Sequence, residues 1–273
     1  MVKTGRATET CTVLLNNMIH RTRGIVFRTV KFSETSVISK IYTEKFGMRS
    51  YIVNGVRSEK SKTKAVLLHV MSMLDMEVYH HEHRNLNRIK EMRPAYVFSS
   101  VLFDPLKSSL GLFMMEVLNK CIHEEEANEE MFAFITGKLQ SLDQQQKIPV
   151  DYLLKFLLEL SSLIGFHPHG EFSSATSYFD LQAGRFVADA SVHPYMIHPP
   201  LSESFSLLTH EQNFSKVSSR GSAGNFGKVQ SGFTGFDTGI RRQLLDALLQ
   251  YYQLHVPNFS MPKSLHVLDE VFK

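Results

Sequence analysis

From residue 18 onward, apolar and polar positions alternate in short runs. Residues 24–31 (GIVFRTVK) mix β-branched and aromatic positions with basic ones. Residues 36–43 (SVISKIYT) set Val37, Ser39, Ile41 and Thr43 against Ile38, Lys40 and Tyr42. A period of two sends successive side chains to opposite faces of a strand. Ser33, Glu34 and Thr35 break the pattern between these runs, and a turn at 44–47 (EKFG) leads to a third run at 48–54 (MRSYIVN). A polar, basic loop follows at 55–64, then a predicted long fourth strand at 66–79 and a fifth at 86–93. Five strands in about 80 residues, separated by turns, predict a small barrel of OB-fold type.

Pro94 marks the predicted end of this barrel, beyond which the period becomes helical. Leu102, Leu106, Leu110, Phe113, Met114, Val117, Leu118 and Cys121 recur at three- and four-residue spacing, as one face of an amphipathic helix does. Further helices are predicted at 128–143 and 150–164, the second stopped by Gly165. Residues 166–235 are rich in Gly, Ser, His, Pro and Phe, with a strand-like unit at 178–188 and a short helix near Ser204 to His210. The stretch 215–235 reads as flexible. A strong helical pattern returns at 237–255, with Asp237 as its predicted N-cap, and a last helix is predicted near 262–272. The fold class is therefore α+β and multidomain: an N-terminal five-stranded OB-fold β-barrel, then an α-helical domain with an embedded small irregular or β module. The expected domains are an N-terminal arm at 1–17, a barrel at 18–96 and a helical domain at 97–273 with an insertion at about 166–235. Met18 opens the strand pattern and is a candidate natural start.

Charge sharpens this division. Residues 1–96 hold 17 Lys and Arg against 8 Asp and Glu, a balance of +9. Residues 97–273 hold 13 against 19, a balance of −6, so the net charge of +3 hides two oppositely charged parts. A basic β-module on an acidic helical body points to nucleic acid before it points to catalysis. No run is long and apolar enough for a membrane-spanning helix, and no signal peptide is recognisable. Two cysteines, Cys11 and Cys121, in unrelated contexts argue against a disulfide framework and fit a reducing cytosol.

The basic module offers Arg21, Arg23, Arg28, Lys31, Lys40, Arg49, Arg57, Lys60, Lys62 and Lys64. Phosphates need several cations along a groove, and unpaired bases need aromatic faces. Phe27, Tyr42, Phe46 and Tyr51 alternate with those cations, as stacking platforms or as barrel core. The acidic run at 124–130 (EEEANEE) reads as a solvated face. The histidines fall into two groups, His80, His81 and His83, and His167, His169, His193 and His198. Zinc wants three or four converging ligands; His80 and His81 point to opposite faces of a strand, and the second group reads as turn chemistry, so no metal or other cofactor is expected. Gly221 and Gly227 of a glycine-rich stretch are separated by five residues, and Val229 follows Lys228, so it departs from a phosphate loop on both counts. No nucleophile elbow or paired-carboxylate motif occurs, so the chain reads as a non-enzyme.

Residues 23–34 (RGIVFRTVKFSE), 41–47 (IYTEKFG) and 55–62 (GVRSEKSK), followed by 74–79 (LDMEVY) and 86–92, occur in an order and spacing that resemble the RecO family of bacterial DNA repair and recombination mediators. Residues 178–187 (YFDLQAGRFV) resemble part of that family's C-terminal module, and 242–245 with 262–268 resemble its final helices. The resemblance implies an OB-fold that binds single- and double-stranded DNA, anneals complementary strands and helps RecA displace single-strand-binding protein together with RecR. It also implies a cytoplasmic, nucleoid-associated place and no membrane. Many relatives carry a four-cysteine zinc site in the region matched by 166–198; this chain has no cysteine there, so a zinc-finger-like module must hold itself by packing or hydrogen bonds. The implied DNA-binding residues are Arg28, Lys31, Arg57, Lys60 and Lys62, to which the charge pattern adds Arg23, Arg49 and Lys64. Arg241 and Arg242 either meet the acidic tail of single-strand-binding protein or are solvated. An OB-fold binder of other nucleic acid, such as structured RNA, is the alternative, and a metal-dependent hydrolase built on the histidines a third reading.

Overall fold

A computed structural model describes residues 19–56, 62–81, 84–190, 193–218 and 236–271, with the side chains of 62–64, 210–218 and 269–271 left out. The N-terminal arm at 1–17, Met18, and the glycine-rich stretch at 221–228 lie outside the described residues. Five strands, β1 (Ile19–Lys31), β2 (Val37–Thr43), β3 (Gly47–Val53), β4 (Met73–Tyr79) and β5 (Leu86–Tyr96), close into a barrel in the order β1-β2-β3-β5-β4. All neighbours are antiparallel except β3 and β5. The predicted five-stranded OB-type barrel is present. Its interior is filled by alternate residues of each strand, among them Val26, Ile41, Tyr51, Leu74, Met76 and Val78.

The structure corrects the predicted strand at 66–79. Residues 62–67 form a short helix, α1 (Lys62–Leu67), and the chain turns through Met71 at φ +75° before β4 begins. A short apolar run such as Val66, Leu67 and Leu68 does not distinguish strand from buried helix by period alone. Here Leu68 closes one end of the barrel beside Val56. β5 also runs on through Pro94 to Tyr96. Only residues 86–88 of β5 pair with β3, so Pro94 sits where one side of the strand has no ladder to break.

Two compact units divide the chain, one of residues 1–145 with 262–273 and the other of 146–261. The first unit extends past the change of period because α2 (Pro105–Cys121) and α3 (Glu129–Gln144) pack on the barrel. Phe132 stacks on Tyr42 with ring centroids 6.2 Å apart. Asp104 caps α2 by accepting from the N–H groups of Leu106 and Lys107, with Pro105 at the first helical position. Asn128 caps α3 through the N–H of Met131. The side chains of the acidic run at 124–126 are exposed as expected, yet its backbone is docked. The Glu124 carbonyl accepts from the N–H of Met48 at 2.9 Å. Gly47, at φ +62°, lets it come close: a Cβ there would lie 2.3 Å from the carbonyl oxygen of Glu126. Gly47→Ala is therefore expected to cost more than about 1 kcal/mol, read as a lower denaturation midpoint.

The second unit holds α4 (Tyr152–Leu163), a small sheet of β6 (Tyr178–Asp180), β7 (Arg185–Val187) and β8 (Met196–Ile197), α5 (Leu201–Ser218) and α6 (Thr238–His255). α5 is longer than the predicted short helix and enters the stretch expected to be flexible. Asp237 caps α6 as predicted, accepting from the N–H of Ile240 at 2.8 Å. The cysteine-free sheet is held by an aromatic cluster: Phe179 is fully buried, with ring centroids 4.6 Å from Phe205, 4.9 Å from Phe186 and 6.1 Å from Tyr251. The Tyr251 hydroxyl donates to the carbonyl of Phe166, and that of Tyr252 to the carbonyl of Leu157. The last helix, α7 (Leu265–Val271), belongs to the first unit, where the Glu116 carboxylate accepts from the N–H groups of Lys263 and Ser264 and from the Ser264 hydroxyl. Among the described residues no helix is long and apolar enough to cross a membrane.

Candidate nucleic-acid interface

Strand register sorts the cations of the barrel into two groups. The first half of β1 pairs with β4, setting Arg21 opposite Glu77 and Arg23 opposite Asp75. These cations are matched by carboxylates. Arg21 bridges to Glu77 at 2.8 Å, Lys90 of β5 to Glu77 at 3.0 Å and Arg93 to Asp75 at 3.3 Å. Arg23 is bidentate to Glu44, at 3.0 and 2.5 Å, and lies over the Phe132 ring. Its bond to Arg23 is the main reason that Glu44 titrates below the usual carboxylate range.

A bulge between Val26 and Arg28 shifts the register, and the second half of β1 pairs with β2 alone. Two outward rows then run across four strands. One is Arg28, Lys40, Ser50 and Leu86; the next is Val30, Ile38, Ile52 and Arg88. Neither row holds a carboxylate. At about 4.8 Å per strand the rows span roughly 14 Å. Arg28, Lys31 and Arg88 are exposed and form no ion pair among the described residues. Lys40 is half-buried and its ammonium donates to Asn119 at 3.3 Å. Burial first, and then the neighbouring Arg28, hold Lys40 below the usual lysine range. A surface cavity of about 620 Å³, lined in part by Ile52, Tyr79, His81, Arg84, Leu86 and Arg88, adjoins this face.

The same register fixes where β3 ends. Lys31 pairs with Val37 and Val37 with Val53, so the segment that follows β3 leaves the barrel two strands from Lys31. The hydroxyl of Ser36 lies 3.1 Å from Asn54 Oδ1 and ties the two connections together. Arg57 and Lys60 lie outside the described residues; Lys62 and Lys64 are in α1, their side chains undescribed.

Arg49, expected to meet DNA, has its donors engaged within the unit. Its guanidinium pairs with the Glu125 carboxylate, Nη2 donates to the Glu125 carbonyl at 2.7 Å, and Nε donates to the Phe46 carbonyl at 3.1 Å. Of the two readings of Phe27, Tyr42 and Tyr51, the structure selects packing: they are 4%, 1% and 0% exposed and are not stacking platforms. Burial pushes the Tyr42 phenol up to about 12. Phe46 stacks on His80 at 3.7 Å. Sequence reading missed Arg88, whose strand pairing was not visible, and Phe32, which is exposed just past the end of β1. In the second unit Arg241 donates to the Phe236 carbonyl and to the Thr238 hydroxyl, bracing the start of α6.

Two family models match in succession: one described as Recombination protein O N terminal over residues 18–98, and one described as Recombination protein O C terminal over 102–192. The first spans the barrel. The chain belongs to the RecO family. The curated DNA repair protein RecO of Phocaeicola vulgatus is 32% identical over 255 residues, covering 93% of this chain and all of that protein. That of Bacteroides fragilis is 31% identical over 257 residues, again 93% of this chain and all of the relative. That of Flavobacterium psychrophilum is 33% identical over 255 residues, 92% of this chain and 98% of the relative. Membership in the RecO family gives the chain a role in DNA repair and recombination.

Proposed function

We propose that this RecO-family chain is a non-enzymatic mediator that binds single-stranded DNA on the carboxylate-free face of its barrel, anneals complementary strands, and assists RecA loading onto DNA coated with single-strand-binding protein, acting with RecR. The observation that carries the reading is the separation of paired from unpaired cations around one barrel. Arg28, Lys31 and Arg88 offer positive charge that no carboxylate among the described residues pairs with, and by sequence the segment 57–64 adds further lysine and arginine. Phosphates neutralised there release counterions, which drives binding without reading sequence. Two strands held on such surfaces repel each other less, and bases that are not buried remain free to pair. Partners of the mediator reading are single- and double-stranded DNA, RecR and single-strand-binding protein, with RecA engaged indirectly.

The test is annealing of complementary oligonucleotides precoated with single-strand-binding protein, with and without this chain. Acceleration is the expected outcome. If coated strands anneal no faster, with RecR added or omitted, the annealing role fails. Tighter binding to a structured RNA than to single-stranded DNA would transfer the same face to the alternative substrate.

A further inference from the structure

The hairpin between β1 and β2 presents an aromatic ring that the barrel interior does not use. Phe32 is 57% exposed, and its ring makes no aromatic contact among the described residues. Its backbone is nonetheless held. The N–H groups of Phe32 and Ser33 donate to the Ser36 carbonyl at 3.0 and 3.1 Å, and the N–H of Ser36 donates to the Ser33 hydroxyl at 3.2 Å. An exposed apolar residue is unremarkable alone. Phe32 differs in its company: it directly follows β1, whose exposed Arg28, Val30 and Lys31 lead up to it, and the adjoining rows hold no carboxylate. Glu34, exposed in the same turn, disfavours a phosphate close to it but does not oppose an uncharged ring contact. An exposed aromatic ring on a held backbone, near exposed cations, suits an unpaired base whose phosphates lie on those cations. A base inside a duplex is already stacked on both sides and offers no such face.

We propose that Phe32 stacks on an unpaired base of the strand held by the cationic face, giving the barrel a preference for single-stranded over duplex DNA. The inference rests on the DNA-binding reading of that face, and the experiment separates the two. The chain has no tryptophan, so Phe32→Trp introduces a single indole reporter. A thymidine oligonucleotide should bind and quench it. An abasic chain of the same length, with phosphates but no bases, should bind without quenching it. Phe32→Ala should weaken thymidine-oligonucleotide binding about tenfold, within the roughly 5- to 150-fold span of one lost base stack. Its affinity for the abasic chain and for duplex should stay within about twofold, and its salt dependence should not change, because no phosphate contact is lost. Phe32→Tyr should bind as the parent chain does. If the parent chain binds DNA but Phe32→Ala binds single strands equally well, or the abasic chain quenches the indole equally, the stacking inference is overturned and the DNA-binding reading stands. If the parent chain binds neither oligonucleotide, both fail.

Discussion

Asp143→Ala is expected to destabilise the first compact unit by about 3–5 kcal/mol, the scale of a broken buried charge network. Asp143, near the end of α3, is 3% exposed. Its carboxylate accepts from the N–H groups of Ser99, Ser100 and Val101 at 2.8–3.1 Å and from the hydroxyls of Ser99 and Tyr96, each at 2.9 Å. The Lys107 ammonium, itself buried, donates to the Ser100 hydroxyl at 2.7 Å and to the Asp143 carbonyl at 3.0 Å. One side chain thus fastens the segment where the chain leaves β5 for α2. Alanine would leave three backbone donors without this acceptor; the N–H of the fully buried Val101 is the one most cut off from water, at about 1–3 kcal/mol if nothing replaces the acceptor. Asp143→Asn should cost less, since one acceptor oxygen survives, but its amide would face the same donors. Burial alone would raise this carboxyl; the bonds from Ser99, Val101 and Ser100 outweigh it and hold the group well below the usual carboxylate range. A depressed folded value means that the stabilisation is complete above the unfolded value of about 4 and is lost as pH falls through the folded one. Urea unfolding should therefore show a lower midpoint for Asp143→Ala at neutral pH and a flatter acid limb. A loss below about 1 kcal/mol at pH 7 would show that water replaces the carboxylate.

The barrel was legible in the sequence because its strands are short and one-sided. Val37, Ser39 and Ile41 of β2 turn inward with period two, and the turns carry residues suited to them. The helix at 62–67 was not legible, because its apolar end, Val66 and Leu67, continues into Leu68 as a strand would. Tyr42 and Tyr51 show a limit of reading aromatics beside cations. Both alternate with basic residues, but Tyr51 faces the barrel interior and Tyr42 is covered by Phe132 of a helix more than eighty residues later in the chain. The candidate site was only half legible for a similar reason. A count of +9 registers every lysine and arginine alike, whereas Arg21, Arg23 and Arg93 meet carboxylates and Arg28, Lys31 and Arg88 do not. That distinction depends on the bulge in β1 and on β5 returning beside β3, both long-range pairings.

Arg28→Ala, Lys31→Ala and Arg88→Ala combined are expected to weaken single-strand binding about 50-fold at physiological salt. Each phosphate neutralised on a single strand contributes about 0.7 to the slope of log affinity against log salt. At roughly 0.15 M salt that corresponds to about 0.8 kcal/mol, or fourfold, per contact, and three contacts multiply to about 50-fold. If roughly six phosphates are engaged, the parent slope should lie near −4 and the variant's near −2. The control is Arg21→Ala, Lys90→Ala and Arg93→Ala, which removes the same formal charge from the face where carboxylates already balance it. Beyond a screening length of about 8 Å the two triple variants differ little in the field they present, so a local phosphate contact is what separates them. The control should bind within about threefold of the parent, with its slope preserved. Because the first three cations are exposed and unpaired among the described residues, and the control's ion pairs lie at the surface, neither variant should unfold the barrel. Equal weakening in both would mean that total charge, and not the carboxylate-free face, governs binding. A flat salt response in the parent chain would remove the phosphate reading altogether.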